Sequence, residues 1–219
     1  PTPTPIALLP SNEIDALGAL YTATSGELWT INTNWLSDSD PCSADAGWYG
    51  VVCDVNPGSL FVKGLFLNKN NLKGTLASEL GNLRYLEALA LYQNQLSGQL
   101  PSELGNITAL ETLDLRHNNL NGTIPPFIGT LSHLLTVRLS SNQLSGTIPD
   151  VFSATKSNLN DLWLANNHLS GTIPPSLVSI QLKTLQLNNN NMTGFVAEGV
   201  CDVGLFDVSG NEWYCPLPS

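Results

Sequence analysis

Basic residues are scarce in this 219-residue sequence, where 8 Lys and Arg stand against 18 Asp and Glu and leave a formal net charge of −10. An acidic surface repels a phosphate backbone, so we expect no nucleic-acid partner. The sequence also lacks a basic run that would hold anionic lipid. No stretch approaches the roughly 18 consecutive apolar residues of a membrane span, so we expect no direct membrane insertion of this segment.

Cysteine is limited to four residues, which fall into two local pairs: Cys42 with Cys53, and Cys201 with Cys215. Four cysteines permit three pairings, and the long interval between the pairs favours closure of each pair on itself. Zinc binding is the alternative, but neither pair has zinc-finger spacing or a neighbouring histidine. Disulfides indicate an oxidising compartment, so we expect an extracellular protein.

The sequence start and its glycosylation motifs agree with that location. The chain begins at Pro1 with no charged-then-apolar leader, which we interpret as a processed protein or an excised domain, either secreted or displayed at the cell surface. Residues 1–10 form a Pro/Thr-rich, extended leader. N-glycosylation sequons, typical of a glycoprotein, begin at Asn106, Asn121 and Asn191.

A repeat of about 24 residues dominates the remaining sequence. Its core phrase is L-x-L-x-x-N, with substitutions, and its seven copies far exceed coincidence. The copies are Leu65–Asn70, Leu89–Asn94, Leu113–Asn118, Val137–Asn142, Leu162–Asn167, Leu185–Asn190 and Phe206–Asn211. The two apolar residues of each copy point inward from a short strand, and one coil cannot bury its own apolar face. Successive coils therefore stack into a parallel sheet, and each Asn bonds to backbone groups left open in the turn.

A second phrase, Leu-x-Gly-x-Ile-Pro, follows the Asn, as in Leu144–Pro149. The proline resists a regular strand or long helix, so we expect short helical turns on the convex side. The residue after the glycine forms a column that could build a flat threonine ladder of the kind that matches ice or a crystalline surface, although two positions interrupt it. The column is Thr75, Gln99, Thr123, Thr147, Thr172 and Phe195.

Together these two phrases resemble the plant-type class of extracellular leucine-rich repeats, which includes receptor-kinase ectodomains and polygalacturonase-inhibiting proteins. The resemblance covers about residues 60–211. It implies an α/β repeat fold: a right-handed leucine-rich-repeat solenoid with a concave parallel β-sheet and disulfide-closed caps. The segment from Trp48 to Asp54 is similar to the N-terminal cap signature of the class, although the adjacent Cys-Cys of the inhibitor proteins is missing.

The domain organisation follows from this assignment. After the leader, residues 11–59 form an N-terminal cap with Cys42–Cys53, residues 60–200 carry the repeats, and residues 201–219 form a C-terminal cap with Cys201–Cys215. Helical apolar spacing at 14, 17, 20 and 21 predicts a helix over residues 12–22. Four of the five tryptophans lie in the caps, where we expect packing roles.

Strand alternation predicts which side chains point outward from the concave sheet. Adjacent strands then place Arg138 between Asp114 and Trp163, and Arg116 next to Tyr92. Trp and Arg often anchor interfaces, and no core requirement explains an outward indole at Trp163. The predicted ligand-binding residues are Tyr92, Asp114, Arg116, Arg138, Asp161 and Trp163. The alternative is a self-satisfied surface, with Arg138 paired to Asp114 and stacked on Trp163.

Catalytic patterns are missing. The histidines, His117, His133 and His168, occupy different parts of different repeats without an obvious nucleophile as partner. We therefore expect no enzyme activity, no cofactor and no metal. The leading hypothesis is an extracellular recognition module that binds a protein, peptide or cell-wall glycan on its concave face, as a receptor ectodomain or a secreted relative. A secreted inhibitor of cell-wall polysaccharide hydrolases is the second hypothesis, and an adhesion or matrix protein is the third.

Overall fold

The computed structural model describes residues 8–56, 59–152, 157–196 and 204–214. The predicted Cys201–Cys215 pair and residues 1–7 of the predicted leader lie outside the described residues. These ranges contain two α-helices, α1 at Ser11–Ala23 and α2 at Pro175–Val178. None of the described helices is long and apolar enough to cross a membrane.

The main sheet has eight strands, and its order follows the chain. The strands are β1 (Val51–Asn56), β2 (Ser59–Phe66), β4 (Ala88–Ala90), β6 (Thr112–Asp114), β8 (Thr136–Arg138), β10 (Asp161–Trp163), β12 (Thr184–Gln186) and β14 (Leu205–Asp207). β1 and β2 form an antiparallel hairpin, and every later pair is parallel with the central residues of the repeats in register, as at Leu113↔Val137. The predicted repeat solenoid with a concave parallel sheet is thus confirmed.

Shorter strands follow each turn and build two small sheets on one flank. One contains β3 (Lys73–Thr75), β5 (Gln95–Gly98) and β7 (Asn119–Leu120). The other contains β9 (Ser145–Gly146), β11 (His168–Gly171), β13 (Asn191–Gly194) and β15 (Glu212–Trp213). The predicted short helical turns are present as 3-10 segments, for example Ser102–Asn106, which buries Leu104. Each coil therefore passes from the main sheet through the flank to a helical turn and back.

The core is one continuous column of leucines between these faces. Both apolar residues of the first six core phrases are buried, and in the central repeats they are inaccessible to solvent, as at Leu113 and Leu115. In the seventh phrase, Phe206 and Val208 are partly buried against the same core. The leucine of the second phrase and that of the helical turn complete each layer, as Leu120 and Leu104 do. Because each coil shares this column with its neighbours, burial of one repeat depends on the next.

The repeated asparagines form a hydrogen-bonded ladder beneath the turns. In the central case, the Asn142 amide donates to the carbonyl oxygens of Leu115 and Leu139, each at 3.0 Å, and its Oδ1 accepts from the Leu120 N–H at 3.0 Å. Leu115 and Leu120 belong to the preceding repeat, so each asparagine reaches backward along the solenoid. The same pattern recurs from Asn94 to Asn211, which explains the invariant position of the residue within this chain.

The N-terminal cap is closed by the Cys42–Cys53 disulfide, with Cα atoms 5.6 Å apart. Trp29, Trp35 and Trp48 are buried and pack edge-on or tilted against one another, as expected for packing residues.

The helix predicted over residues 12–22 is present as α1, but its buried face is rotated from the predicted one. Ile14 is 37% exposed, whereas Glu13 is 4% exposed and its carboxylate accepts the Val62 N–H at 2.7 Å. The prediction from apolar spacing is therefore wrong at Ile14, because Glu13 occupies the buried face and accepts a hydrogen bond from the second strand of the hairpin.

Candidate ligand-binding surface

The middle strands of the main sheet carry the candidate site on their outward face. β6 carries Asp114, β8 carries Arg138 and β10 carries Trp163, and backbone pairing sets these three residues side by side. Tyr92 and Arg116 lie two residues further along their strands, where the chain leaves the sheet. Since the parallel register is fixed by the buried leucines beneath, the spacing of these side chains follows directly from the repeat.

Ion pairs and ring contacts join five of the predicted residues into one cluster, which we call the Arg–Trp cluster: Tyr92, Asp114, Arg116, Arg138 and Trp163. Asp114 Oδ2 lies 3.1 Å from Arg116 Nη2 and 3.7 Å from Arg138 Nη1. The Arg138 guanidinium carbon is 4.6 Å from the centre of the Trp163 ring. That of Arg116 is 5.5 Å from the same ring and 4.9 Å from the Tyr92 ring.

The residues of the cluster differ in how deeply their side chains are buried. The Asp114 side chain is only 5% exposed, so it lies beneath the two arginines and holds them rather than facing solvent. The arginine side chains remain 27% and 29% exposed. Trp163 is half-buried, not freely exposed as the sequence suggested, because two guanidiniums cover part of its ring. The contacts of the self-satisfied alternative are therefore present, and they also fix the exposed groups in place.

The sixth predicted residue, Asp161, lies on the same strand as Trp163. Its Oδ2 accepts a hydrogen bond from Thr136 Oγ1 at 3.4 Å, a long and weak contact. Within the described part of the chain, the buried nitrogens Arg116 Nε, Arg138 Nε and Trp163 Nε1 make no hydrogen bond. The cluster is thus held by ion pairs and ring contacts rather than by a saturated hydrogen-bond network.

A recess of about 270 Å³ opens beside the cluster toward the C-terminal strands. Arg116 and Trp163 form its near wall, and Gln186, Asn188 and Asp207 line the far side. His117, which has a left-handed backbone (φ 56°), also borders it. These amide and carboxylate side chains were not singled out from the sequence, and only the structure shows that they surround a common space.

The N-terminal end of the same face is apolar, and the site prediction missed it. Phe66 is 42% exposed and Val52 is 46% exposed. The Phe66 ring lies over Gly64, where an added Cβ would come within 2.5 Å of it, and Ala90 pairs with Phe66 on the next strand. The small residues around Phe66, which are Gly64 on its own strand and Ala90 opposite it, were the sequence signal for this patch.

The remaining residues singled out by sequence lie away from this face. The three sequon asparagines, Asn106, Asn121 and Asn191, are exposed at a helical turn or on the flank. His133 borders the opposite edge of the sheet, with Nδ1 3.0 Å from the Thr108 carbonyl oxygen. Across the described ranges, no set of three His, Cys, Asp or Glu residues is grouped to hold a metal.

This architecture, coils stacked on a leucine column with a preorganised outward face, defines a class of repeat proteins. The sequence profile of the Leucine Rich Repeat family matches residues 85–107, 109–131, 133–154 and 158–180. The comparison with curated proteins finds no match. The leucine-rich-repeat ectodomain of the receptor kinase SOBIR1 from Arabidopsis thaliana is 30% identical, with a TM-score of 0.69; the match covers 97% of this chain and 100% of that one.

Two other solved structures are similar. The Arabidopsis receptor kinase HAESA, in complex with the peptide hormone IDA and the co-receptor SERK1, is 32% identical over 68% of this chain and 25% of that one, with a TM-score of 0.65. A plant ice-binding protein is 28% identical over 94% of this chain and 73% of that one, with a TM-score of 0.67.

The chain belongs to the leucine-rich-repeat family, in its plant-type extracellular class. It spans only 25–29% of the chains of the large receptors among its matches.

Proposed function

We propose that this protein is an extracellular recognition module, not an enzyme, which binds its ligand on the concave face at the Arg–Trp cluster. One observation carries the proposal: two half-buried arginines and an indole are fixed on a rigid sheet beside an open recess. Such groups lose little conformational entropy when a ligand docks, and Trp and Arg dominate measured interface energies.

The comparison with receptor kinases supports this proposal. HAESA is seen with a peptide hormone and a co-receptor, so a peptide is a reasonable ligand class for this chain. The internal pairing of the cluster does not oppose binding, because Asp114 pairs with both arginines from below while their outer edges face solvent. A buried carboxylate that orients two guanidiniums is a supporting contact of the kind that binding sites need.

The two other hypotheses from the sequence predict different partners. An inhibitor of cell-wall hydrolases would clamp a basic enzyme against this acidic protein. An adhesion or matrix protein would use the repeats as a spacer and would not depend on the Arg–Trp cluster. The identity of a partner, and its dependence on the cluster, therefore separate the three hypotheses.

The test is a pull-down from extracellular extract with cell-wall fragments included. The wild type is compared with Arg138→Ala/Trp163→Ala and with a matched control, Arg84→Ala/Phe195→Ala, which removes one exposed arginine and one exposed aromatic elsewhere. We expect a partner that the wild type and the control retain and the cluster variant loses, at equal melting temperatures. A partner retained equally by all three proteins would refute the assignment of the site.

A second candidate function has a specific observation in its favour. Thr123, Thr147 and Thr172 are exposed on the flank, and their γ-methyl groups pack where the next glycine has no Cβ, as Thr123 does over Gly146 at 3.0 Å from an added Cβ. We infer that this ladder could match a flat, ordered lattice, and one similar structure is that of a plant ice-binding protein. An ice-recrystallisation assay tests this inference, because Thr147→Lys should abolish inhibition and Thr30→Lys, in the cap, should not.

A further inference from the structure

We propose that the recess beside Trp163 binds a neutral oligosaccharide, with a sugar ring against the indole and its hydroxyls on the polar far wall. This inference rests on the proposed function, because it names the ligand class of the same concave face. It differs from the peptide suggested by the receptor comparison, and the two ligand classes make different demands on the recess.

The lining of the recess combines donors and acceptors. Gln186 and Asn188 each offer an amide that both donates and accepts, Asp207 offers only acceptors, and Arg116 offers only donors. A sugar hydroxyl both donates and accepts, so a mixed wall of this kind can satisfy several hydroxyls at once. An anionic ligand would instead call for a wall of donors alone.

One wall of the recess is aromatic. Trp163 borders the space with part of a ring whose other contacts are the guanidiniums of Arg116 and Arg138. An indole offers a large, rigid apolar surface, which suits the C–H face of a sugar ring. Because the ring is already held by two cations, it does not have to be ordered when a ligand arrives.

Local charge argues against an acidic ligand. The recess is lined by one arginine, Arg116, and one aspartate, Asp207, so with His117 neutral its formal charge is zero. Asp114 already pairs with both guanidiniums, and Asp207 lies at the far side of the recess, where it would repel a carboxylate. A uronate polymer or an acidic peptide is therefore disfavoured relative to an uncharged saccharide.

The size of the recess also favours a small rigid ligand. Its 270 Å³ lies just below the roughly 300–1,000 Å³ of pockets that hold drug-sized molecules, which leaves room for about one or two sugar rings. Its open mouth on the sheet lets the rest of a chain extend along the concave face. The apolar patch around Phe66 and Ala90 lies at the N-terminal end of the sheet, too far away to line the recess.

The experiment is isothermal titration with cellohexaose, laminarihexaose, xylohexaose and mannohexaose, with hexagalacturonic acid as the acidic comparator. Gln186→Ala removes a recess amide from an outward position of β12, and Gln143→Ala removes the same group from an exposed position outside the recess. We expect saturable binding of at least one neutral hexamer, weakened about tenfold in Gln186→Ala by the loss of a hydrogen bond and unchanged in Gln143→Ala.

Three outcomes overturn the inference: no heat with any neutral hexamer, equal affinity of the two glutamine variants, or tighter binding of the acidic hexamer. If in that case the pull-down still yields a partner lost in Arg138→Ala/Trp163→Ala, such as a peptide, the concave face remains the binding surface and only the ligand class is wrong. If the titration fails and the pull-down also yields no partner that depends on the Arg–Trp cluster, both proposals fail.

Discussion

The asparagine ladder allows a quantitative prediction at Asn118. Its amide donates to the carbonyl oxygens of Leu91 at 3.1 Å and Leu115 at 3.0 Å, and its Oδ1 accepts the Leu96 N–H at 3.0 Å. Asn118 is 8% exposed, so Asn118→Ala would remove three hydrogen bonds in a place that water reaches poorly. The Leu96 N–H would lose its partner, whereas the Leu91 and Leu115 carbonyl oxygens would keep one bond each, to Asn94 and Asn142. At about 1–1.5 kcal/mol for each bond, the variant should lose about 3–5 kcal/mol of the free energy of unfolding.

That loss is large against the roughly 5–15 kcal/mol stability of a typical protein. Urea unfolding followed by circular dichroism should show it as a midpoint lowered by roughly 1.5–2.5 M, for a slope of about 2 kcal/mol/M. Asn119→Ala, at an exposed neighbouring position, is the matched control and should change stability by less than about 0.5 kcal/mol. A loss below about 1 kcal/mol in Asn118→Ala, at an unchanged slope, would show that the ladder bonds are not what stabilises the turns.

Three further predictions concern stability. Burial raises the pKa of Glu13 above its ordinary value of 4.5, so the folded state binds more protons than the unfolded state in this pH range. The wild type therefore loses stability as the pH rises through the raised pKa. Glu13→Gln keeps an acceptor for the Val62 N–H and should show a flatter dependence of Tm on pH. Cys42→Ser/Cys53→Ser should cost about 3 kcal/mol in chemical denaturation, since it opens a loop with a sequence separation of 11. Gly146→Ala, at φ 75°, should lower stability by about 1–3 kcal/mol in the same assay, because alanine is strained at a positive φ. An unchanged midpoint would contradict this expected strain.

The fold was predictable because each position of the sequence repeat has one structural role, which recurs from coil to coil. Leu113 and Leu115 are inaccessible, Asn118 closes the turn, and Gly122 adopts a positive φ, each as the same column requires in every coil. Where the repeat stops, prediction weakens. In α1, apolar spacing favoured Ile14 over Glu13, because the need to satisfy Val62 comes from a strand almost 50 residues away.

The sequence predicted where the residues of the candidate site lie on the sheet, but not how deeply their side chains are buried. Register alone placed Arg138 between Asp114 and Trp163. It did not reveal that Asp114 is buried under the arginines, because that depends on how two long side chains fold over a short one. Nor did it reveal the recess, since the open space beside Trp163 also depends on the rotamers of Gln186 and Asp207, which lie on two further strands, β12 and β14.

The direction of the asparagine bonds, from each repeat to the one before it, determines how such a protein can gain or lose repeats. Every repeat asparagine after Asn70 completes the turn of the coil before it, as Asn211 does when it donates to the Leu187 carbonyl oxygen. At the other end, Asn70 bonds to Ile31 of the cap instead of to a coil. Insertion or deletion of one whole repeat between these ends would leave both junctions intact. Evolution can therefore lengthen or shorten the concave face in whole units, without redesigning either terminus.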